Sequence, residues 1–266
     1  MYYTINHDKV RKMCSIFLAY NYHPKYLLII AANRDEFFNR PTLPAHYWQD
    51  NPNILGGRDL DKMGTWLGIS KNGRYAAVTN YRDPSTINKK ARSRGELTSG
   101  FLNSSVSPKD YMKELKKSKE EYNGFNLLAG DITSLYYYSN RKQQIKRLKP
   151  GIYGLSNHLL DTPWAKVNLG KEKLRKYLEN QLVDPECLFN LLFDETKAEI
   201  DELPETGIGV EKERLLSSIF IKSPDYGSRC STVLLIDREN KVEFIERTFN
   251  NIDDTWQEAS YNFKIL

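Results

Sequence analysis

Hydrophobic and polar positions in the first part of the chain form short runs of β-branched and aromatic residues separated by turn-forming residues. This pattern predicts strands over residues 15–20, 26–32, 65–70 and 74–80. Asn72-Gly73 stands between the last two runs, and this dipeptide is a strong signal for a two-residue type I′ turn, which needs positive φ at both central positions. We therefore expect these two strands to pair as an antiparallel hairpin.

Helical spacing of apolar residues replaces this alternation further along the chain. It predicts two short helices between Arg94 and about Tyr122, the second beginning after Pro108. Thr162-Pro163 is a good helix start, because a threonine hydroxyl can cap free backbone amides and proline tolerates the first helical position. That helix is expected to reach about Leu182, and another helix is predicted after Asp184-Pro185.

Strand character returns on both sides of these helices. Further strands are predicted at residues 125–131, 134–139, 145–148, 152–156, 215–221, 231–237 and 241–249. Helices grouped between blocks of sequential hairpins favour an α+β fold over a doubly wound parallel fold. The sequence has no repeat, low-complexity tract or linker, so we expect one domain over residues 13–266.

Composition narrows the class of protein. The 266 residues are 40% hydrophobic and 27% charged, which is ordinary for a globular chain. We find no apolar run near the roughly 20 residues of a membrane span and no secretory signal, so we expect a cytoplasmic protein without an integral membrane segment. The three cysteines are widely spaced and the four histidines lack zinc-ligand spacing, so no metal or other cofactor is expected.

The net charge of +5 raises the question of an acidic partner. The densest basic segment, INKKARSRG at residues 87–95, lacks a nucleic-acid fold motif and stacked aromatic residues. We therefore expect no nucleic-acid partner, and the oligomeric state stays open.

Cys14 is the residue best placed to carry chemistry. Removal of an initiator Met13 leaves Cys14 with a free α-amine beside its thiol, so that one residue supplies a nucleophile and a base. Twelve residues precede Met13. We interpret residues 1–12 as a leader or extension, and favour a true translation start at Met13 over a cleaved leader. The alternative is a small, half-buried structural cysteine at a strand edge.

Polar residues that end the second strand are candidates to assist this thiol. Alternation of side chains puts Asn33 and Asp35 on one face and Arg34 with Glu36 on the other, so an amide and a carboxylate face the same way. A solvated ion pair at a strand end is the competing interpretation.

Three further polar residues stand at strand ends. Asn80 and Asn157 each follow an apolar run, where a side-chain amide can donate to an oxyanion or orient an amine. Simple turn formation is the alternative for both. Arg229 stands at the entry to a later strand, where it can contact a substrate carboxylate or the catalytic carboxylate.

Several long motifs occur together: MCSIF, ANRDEFFNRP, GGRD, GTWLGISKNGRYAAVTNYRDP, SRGEL, YNGFNLLAGD, GLSNHLLDTPWAKV and YGSRCSTVLLIDR. In this order they resemble the NRDE family, also called the transport-and-Golgi-organisation protein 2 family, over nearly the whole chain from Met13. That family in turn resembles the cysteine branch of the N-terminal-nucleophile (Ntn) hydrolases, which includes the choloylglycine hydrolases and penicillin V acylases. The resemblance implies a four-layer αββα sandwich with mostly antiparallel sheets.

The resemblance also implies a site. By motif position it contains Cys14, Asn33, Asp35, Asn80 and Asn157, with Arg229 as a looser match. The arginine expected before Asn33 is Ala32 in this chain, and Arg34 is expected to point away from the face of Asn33 and Asp35. We expect Asn33, Arg34, Trp66 and Tyr81 to bind substrate or support the site.

The function implied is that of an amidohydrolase-like enzyme acting on carbon–nitrogen bonds of a small acylated molecule. In it Cys14 attacks the acyl carbon, Asp35 positions the amine and thiol, and Asn80 stabilises the oxyanion. Asn157 holds the α-amine, and Arg229 orients Asp35 or the substrate. The alternative is a carrier that lost turnover and binds a lipid or haem-like molecule, linked to secretory-pathway or Golgi organisation. Nothing in the sequence positively supports a third possibility, a scaffold.

Overall fold

Two antiparallel sheets dominate the part of the chain that the computed structural model describes, residues 14–179 and 183–266. Sheet A has six strands, in the spatial order β10 (Gly151–Leu155), β1 (Cys14–Tyr20), β2 (Tyr26–Phe37), β11 (Tyr226–Asp237), β12 (Lys241–Asn250) and β13 (Thr255–Lys264). Strands from both ends of the sequence therefore meet at its centre, where β2 pairs with β1 on one side and β11 on the other.

Sheet B has seven strands whose spatial order follows the sequence. They are β3 (Thr42–Tyr47), β4 (Ile54–Asp59), β5 (Leu67–Ser70), β6 (Tyr75–Asn80), β7 (Phe125–Gly130), β8 (Leu135–Ser139) and β9 (Ile145–Arg147). Each strand pairs antiparallel with its neighbours along the chain, so sheet B is a meander.

Helices cover the outer face of each sheet. Helices α1 (Gly95–Asn103) and α2 (Pro108–Lys117) pack on sheet B, and α3 (Ala165–Glu179) and α4 (Pro185–Leu192) pack on sheet A. A short helix, α5 (Val210–Leu215), precedes β11. The layers are therefore helix, sheet, sheet and helix, which confirms the α+β, four-layer αββα expectation.

The burial of β1 shows why its sequence is apolar on both faces. Ile16 and Leu18 lie in the core between the two sheets, whereas Phe17 and Ala19 pack in the core beneath α3 and α4. Alternate residues of a strand point to opposite faces, so a strand between two apolar layers needs apolar residues at every position. Gly170 lets α3 approach closely, because a Cβ there would lie 2.2 Å from the Phe17 ring.

The predicted hairpin between β5 and β6 is confirmed, but its turn differs from the expected type I′ turn. Gly73 has a φ of +78°, whereas Asn72 is not among the described residues with positive φ. Ser70 N–H donates to the Arg74 carbonyl, and Gly73 N–H donates to the Ser70 carbonyl. The loop therefore contains three residues and needs the left-handed conformation only at its last position, a common alternative for short hairpins.

The predicted helix start at Thr162-Pro163 is wrong by a few residues. Helix α3 begins at Ala165, and the Thr162 hydroxyl donates to the Leu159 carbonyl instead of capping a helix. The helix is described as far as Glu179, and its predicted end at Leu182 lies outside the described residues.

The predicted strand at residues 215–221 is also wrong. Leu215 ends α5, and the buried residues after it form an irregular segment. Its backbone groups bond to side chains, such as Ile221 N–H to the Ser228 hydroxyl, and to backbone outside any strand, such as Phe220 N–H to the Asp194 carbonyl. A short apolar run signals burial but does not by itself distinguish a strand from other buried structure. Conversely, the alternation does not predict β3, β4 or β13, because glycine, proline and charged residues interrupt them.

Candidate active site

A cleft of about 400 Å³ opens where strand ends of the two sheets meet. Its wall includes Cys14 at the start of β1, residues 34–37 at the end of β2, and Asn80 at the end of β6. The lining also includes Trp66 and much of the segment 88–95. The basic segment noted in the sequence is therefore part of the cleft wall.

Cys14 lies almost fully buried against the end of β2, with 8% of its surface exposed. Burial and then the negative charge of Asp35 raise the pKa of its thiol to about 12. The backbone N–H of Asp35, which hydrogen-bonds the sulfur, and the charge of Arg34 act in the opposite direction. The thiol is therefore protonated at neutral pH in the chain that retains residues before Cys14.

Arg34 lies opposite Cys14, on the face of β2 away from Asn33 and Asp35, as the alternation of side chains predicts. The two residues are cross-strand partners of β1 and β2, and directly opposed residues project from the same face of a sheet. The Arg34 guanidinium stacks 4.2 Å from the Trp66 ring centroid and forms ion pairs with Asp59 and Glu36, at 3.4 and 3.7 Å. The thiol therefore shares the face of Arg34 and not the face of Asn33 and Asp35, where the sequence led us to expect it.

Asp35 is a buried carboxyl with one satisfied oxygen. Its Oδ1 accepts a hydrogen bond of 2.5 Å from the Ser228 hydroxyl, whereas its Oδ2 has no hydrogen-bond partner among the described residues. Burial raises the pKa of Asp35 to about 6, against the opposing effects of Lys166 and of the Ser228 hydrogen bond. An amine that reached Oδ2 would satisfy this oxygen and stabilise its charge.

Asn80 and Asn157 are adjacent at the same end of the molecule. The Asn157 side chain is fully buried and its Nδ2 donates to the backbone carbonyl of Asn80 at 3.1 Å. The Ser156 hydroxyl donates to the Asn157 Oδ1 and also to the Cys14 carbonyl, at 3.1 Å in each case. Asn157 therefore ties the end of β6, which lines the cleft, to the strand that pairs with β1.

Two predicted site residues, Asn33 and Arg229, do not line the cleft and donate to backbone carbonyls. Asn33 is buried on the helix side of sheet A, where its Nδ2 donates to the carbonyls of Leu192 and Ile219. The Arg229 guanidinium donates to the carbonyls of Phe37, Phe38 and Arg40, at 2.8 to 3.1 Å. Arg229 therefore holds the loop after β2, and its described hydrogen bonds do not include one to Asp35.

Trp66 and Tyr81 differ in their relation to the cleft. The Trp66 ring forms part of its wall, and its Nε1 has no hydrogen-bond partner among the described residues. The Tyr81 hydroxyl lies 2.7 Å from the His158 Nε2, and Tyr81 lines a smaller neighbouring pocket that shares Asn80 with the main cleft.

Lys166 is a buried charged residue that the sequence analysis missed. It lies in the first turn of α3 and interacts electrostatically with both Asp35 and Cys14. Burial lowers the pKa of Lys166 to about 8, with Asp35 acting against that change. Lys166 precedes the buried Gly170 by four residues and Leu174 by eight, so a lysine on the buried stripe of a predicted helix was the available signal.

The described residues contain neither a metal-ligand cluster nor a membrane-spanning helix. Between residues 14 and 179 and from 183 onward, no group of three or more His, Cys, Asp or Glu side chains is arranged to hold a metal ion. Within the same ranges, no helix is both long and apolar enough to cross a membrane.

The stacked sheets between helical layers form the four-layer arrangement of the Ntn-hydrolase fold. The structure is similar to a conjugated bile acid hydrolase from Clostridium perfringens, with a TM-score of 0.51 over 94% of this chain and 92% of that one. The sequence identity is 11%, so this likeness concerns the fold.

Residues 13–251 match the family described as Transport and Golgi organisation 2. The chain is 37% identical to the Transport and Golgi organization protein 2 homolog of Bos taurus and 38% identical to that of Homo sapiens, in each case over 95% of this chain and 99% of the relative. A Drosophila melanogaster protein of the same description is 31% identical over 91% of this chain and 94% of its own length. The chain belongs to the Transport and Golgi organisation 2 family, which confirms the resemblance drawn from its motifs.

Proposed function

We propose that this protein is an Ntn-type cysteine amidohydrolase that acts on carbon–nitrogen bonds of a small acylated molecule. The observation that supports it most is the position of Cys14, at the first residue of β1 in the wall of the cleft and directly opposite Arg34. In this proposal the active form begins at Cys14, so that its thiol and α-amine lie on one residue.

The reaction begins when the Cys14 sulfur attacks the acyl carbon of the substrate amide and the thiol proton passes to the α-amine. The carbon–nitrogen bond then breaks, and the leaving amine takes that proton. A thioester remains on Cys14. Water attacks the thioester, the carbon–sulfur bond breaks, and the carboxylic acid leaves while the thiol recovers a proton.

The surrounding residues supply charge where this reaction needs it. The guanidinium of Arg34 favours the thiolate, as its effect on the pKa of Cys14 indicates. The open Oδ2 of Asp35 is available to hold the α-ammonium group. Asn80 lines the cleft close to Cys14, where a side-chain amide and backbone N–H groups can stabilise an oxyanion.

The test is to express the chain from Met13, confirm by mass spectrometry that it begins at Cys14, and assay it with a panel of N-acyl amides. We expect hydrolysis that is lost in Cys14→Ala and retained in Cys187→Ser, because Cys187 lies on α4 and does not line the cleft. Equal rates for the Cys14→Ala and unaltered proteins would refute the proposal.

A ligand carrier is the second candidate, because the Cys14 thiol is buried and its pKa is raised. With residues still attached before Cys14, the sulfur is buried and its pKa is about 12, so the cleft offers volume without a ready nucleophile. In that case the chain expressed from Met1 retains an acylated or hydrophobic small molecule intact. Native mass spectrometry of the chains that begin at Met1 and at Cys14 separates the carrier from the amidohydrolase. A carrier should retain the same ligand in both chains and turn it over in neither.

A further inference from the structure

Lys166 carries a charge that the proposed mechanism does not yet use. Only 3% of its surface is exposed, and its described hydrogen bond is a long one, 3.5 Å from Nζ to the carbonyl of Ser218. A buried ammonium group with so little hydrogen bonding needs a compensating negative charge, because its removal from water is expensive. The question is which carboxylate supplies this charge.

The irregular segment 218–221 connects Lys166 to Asp35. Its first residue, Ser218, accepts the hydrogen bond from Lys166. Its last residue, Ile221, donates from its backbone N–H to the Ser228 hydroxyl, and this hydroxyl donates in turn to Asp35 Oδ1. Ser228 N–H also donates to the Ile221 carbonyl, so the two segments hold each other in place. The same short segment thus supports the ammonium and the carboxylate on the helix side of sheet A.

The other charges around Lys166 leave Asp35 as its main counterion. Arg82, which follows β6, repels Lys166, but Arg82 forms an ion pair with Glu213 of α5. Glu213 also accepts hydrogen bonds from the backbone N–H and hydroxyl of Thr206, at 3.0 and 2.5 Å.

Two groups of sheet A also act on Lys166. Cys14 of β1 interacts with it electrostatically, and Asp35 of β2 attracts it more strongly than any other group does. The neighbours Arg34 and Glu36 act on Asp35 with opposite signs. No described hydrogen bond satisfies Asp35 Oδ2, so this carboxylate depends on nearby positive charge to stay ionised.

We propose that Lys166 is a positioning residue of the site, whose buried ammonium keeps Asp35 ionised from the helix side of sheet A. This inference rests on the proposed function, in which Asp35 must be negative to hold the α-ammonium of Cys14. Lys166 acts through Asp35 and has no contact with the substrate. Asp35 is therefore already negatively charged when the α-amine of Cys14 takes up the thiol proton.

The experiment titrates Asp35 directly. Protein labelled with ¹³C at the aspartate carboxyl carbons is followed by NMR against pH, and Asp35→Asn identifies the signal. In Lys166→Met the proton affinity of Asp35 is expected to rise about tenfold or more, because burial is no longer opposed by the ammonium. Lys166→Arg keeps the charge and is expected to keep the titration within about twofold of the unaltered protein.

Lys176→Met is the matched control, because Lys176 lies on the same helix, is exposed, and pairs with Glu172. An unchanged Asp35 titration in folded Lys166→Met would overturn the proposal, as would an equal change in Lys166→Arg. The measurement needs no turnover, so failure of the amidohydrolase proposal does not affect it. If the N-acyl amide assay succeeds, the rise of rate with pH should also move to higher pH in Lys166→Met alone.

Discussion

Cys14 and Arg34 are directly opposed on β1 and β2, so the two side chains share the face of sheet A that lines the cleft. Ala32 stands where the resemblance leads us to expect an arginine, and it lies two residues before Arg34 on the same strand face. Arg34 therefore places a guanidinium on the same face as Ala32, two residues nearer the cleft. It thus provides a positive charge beside the thiol, on the face where Ala32 has none.

Loss of the Arg34 charge should slow the reaction of Cys14 with an alkylating agent. The guanidinium favours the thiolate, so Arg34→Met is expected to reduce the rate of Cys14 carbamidomethylation by iodoacetamide about threefold to tenfold at fixed pH. Peptide mass spectrometry distinguishes Cys14 from the other cysteines. Arg58→Met is the matched control, because Arg58 is also buried and stacks on Trp48 but does not line the cleft. Equal slowing in both variants would contradict a specific effect of Arg34.

Asn33 is expected to matter for stability more than for thiol reactivity. Its Nδ2 joins β2 to the carbonyls of Leu192 and Ile219, and its Oδ1 accepts from the Ser231 hydroxyl at 2.7 Å. Asn33→Ala leaves three buried polar groups without partners, so the free energy of unfolding should fall by about 2–4 kcal/mol. Urea denaturation measures the loss.

The same Asn33→Ala protein, held at a temperature where it remains folded, should alkylate Cys14 at nearly the unaltered rate. A stable variant with an unreactive Cys14 would instead indicate that Asn33 acts on the site. The two measurements together separate a structural amide from a catalytic one.

The hydrogen bonds of Asn33 also show what the sequence can and cannot predict. Its place at the end of an apolar strand is visible in the alternation, and so is its shared face with Asp35. Which of the two strand faces receives the thiol depends on the register between β1 and β2. That register is a property of the paired strands rather than of either strand alone.

The contacts of Lys166 and of the segment 218–221 could not be predicted for the same reason, because their partners are far apart in the sequence. The apolar run at 215–221 correctly signals burial, but it does not form a strand. Side chains from β2, β11 and α3 bond to its backbone, and the Ser228 N–H of β11 donates to the Ile221 carbonyl. These partners are remote in sequence and meet only after sheet A has formed. In the described part of the chain, local pattern predicts most of the strands and four of the five α-helices. The cleft and its charges come from contacts between separate elements.

Gly57 is predicted to be required for the position of the Trp66 ring. A Cβ at Gly57 would lie 2.2 Å from two atoms of this ring, which is far closer than van der Waals contact. Gly57→Ala should therefore displace Trp66 and cost about 1–3 kcal/mol of unfolding free energy, with altered tryptophan fluorescence. In Gly151→Ala, the control, the added Cβ meets Tyr153 at an ordinary 3.5 Å, and little change is expected. A normal emission spectrum and stability for Gly57→Ala would contradict the packing described here.

The stability of the protein should depend on pH through the carboxyl group of Asp35. The pKa of this carboxyl is about 6 in the folded protein, above the ordinary value of 3.8 expected when the chain unfolds. Between these values the folded protein binds a proton that the unfolded chain has lost, so the contribution of Asp35 to the free energy of unfolding falls as pH rises through this window. A neutral amide at position 35 removes this dependence.

The free energy of unfolding of Asp35→Asn, relative to that of the unaltered protein, should therefore increase by about 2–3 kcal/mol across the window. Urea denaturation at a series of pH values on both proteins measures the difference. In Ser228→Ala, the free energy of unfolding relative to the unaltered protein should change with pH in the opposite direction. The reason is that the Ser228 hydroxyl donates to Asp35 Oδ1 and lowers the pKa of this carboxyl. Without that hydroxyl the pKa of Asp35 rises further, and the window extends to higher pH. If the difference in unfolding free energy between Asp35→Asn and the unaltered protein stays constant with pH, the pKa of Asp35 is not raised in the folded protein.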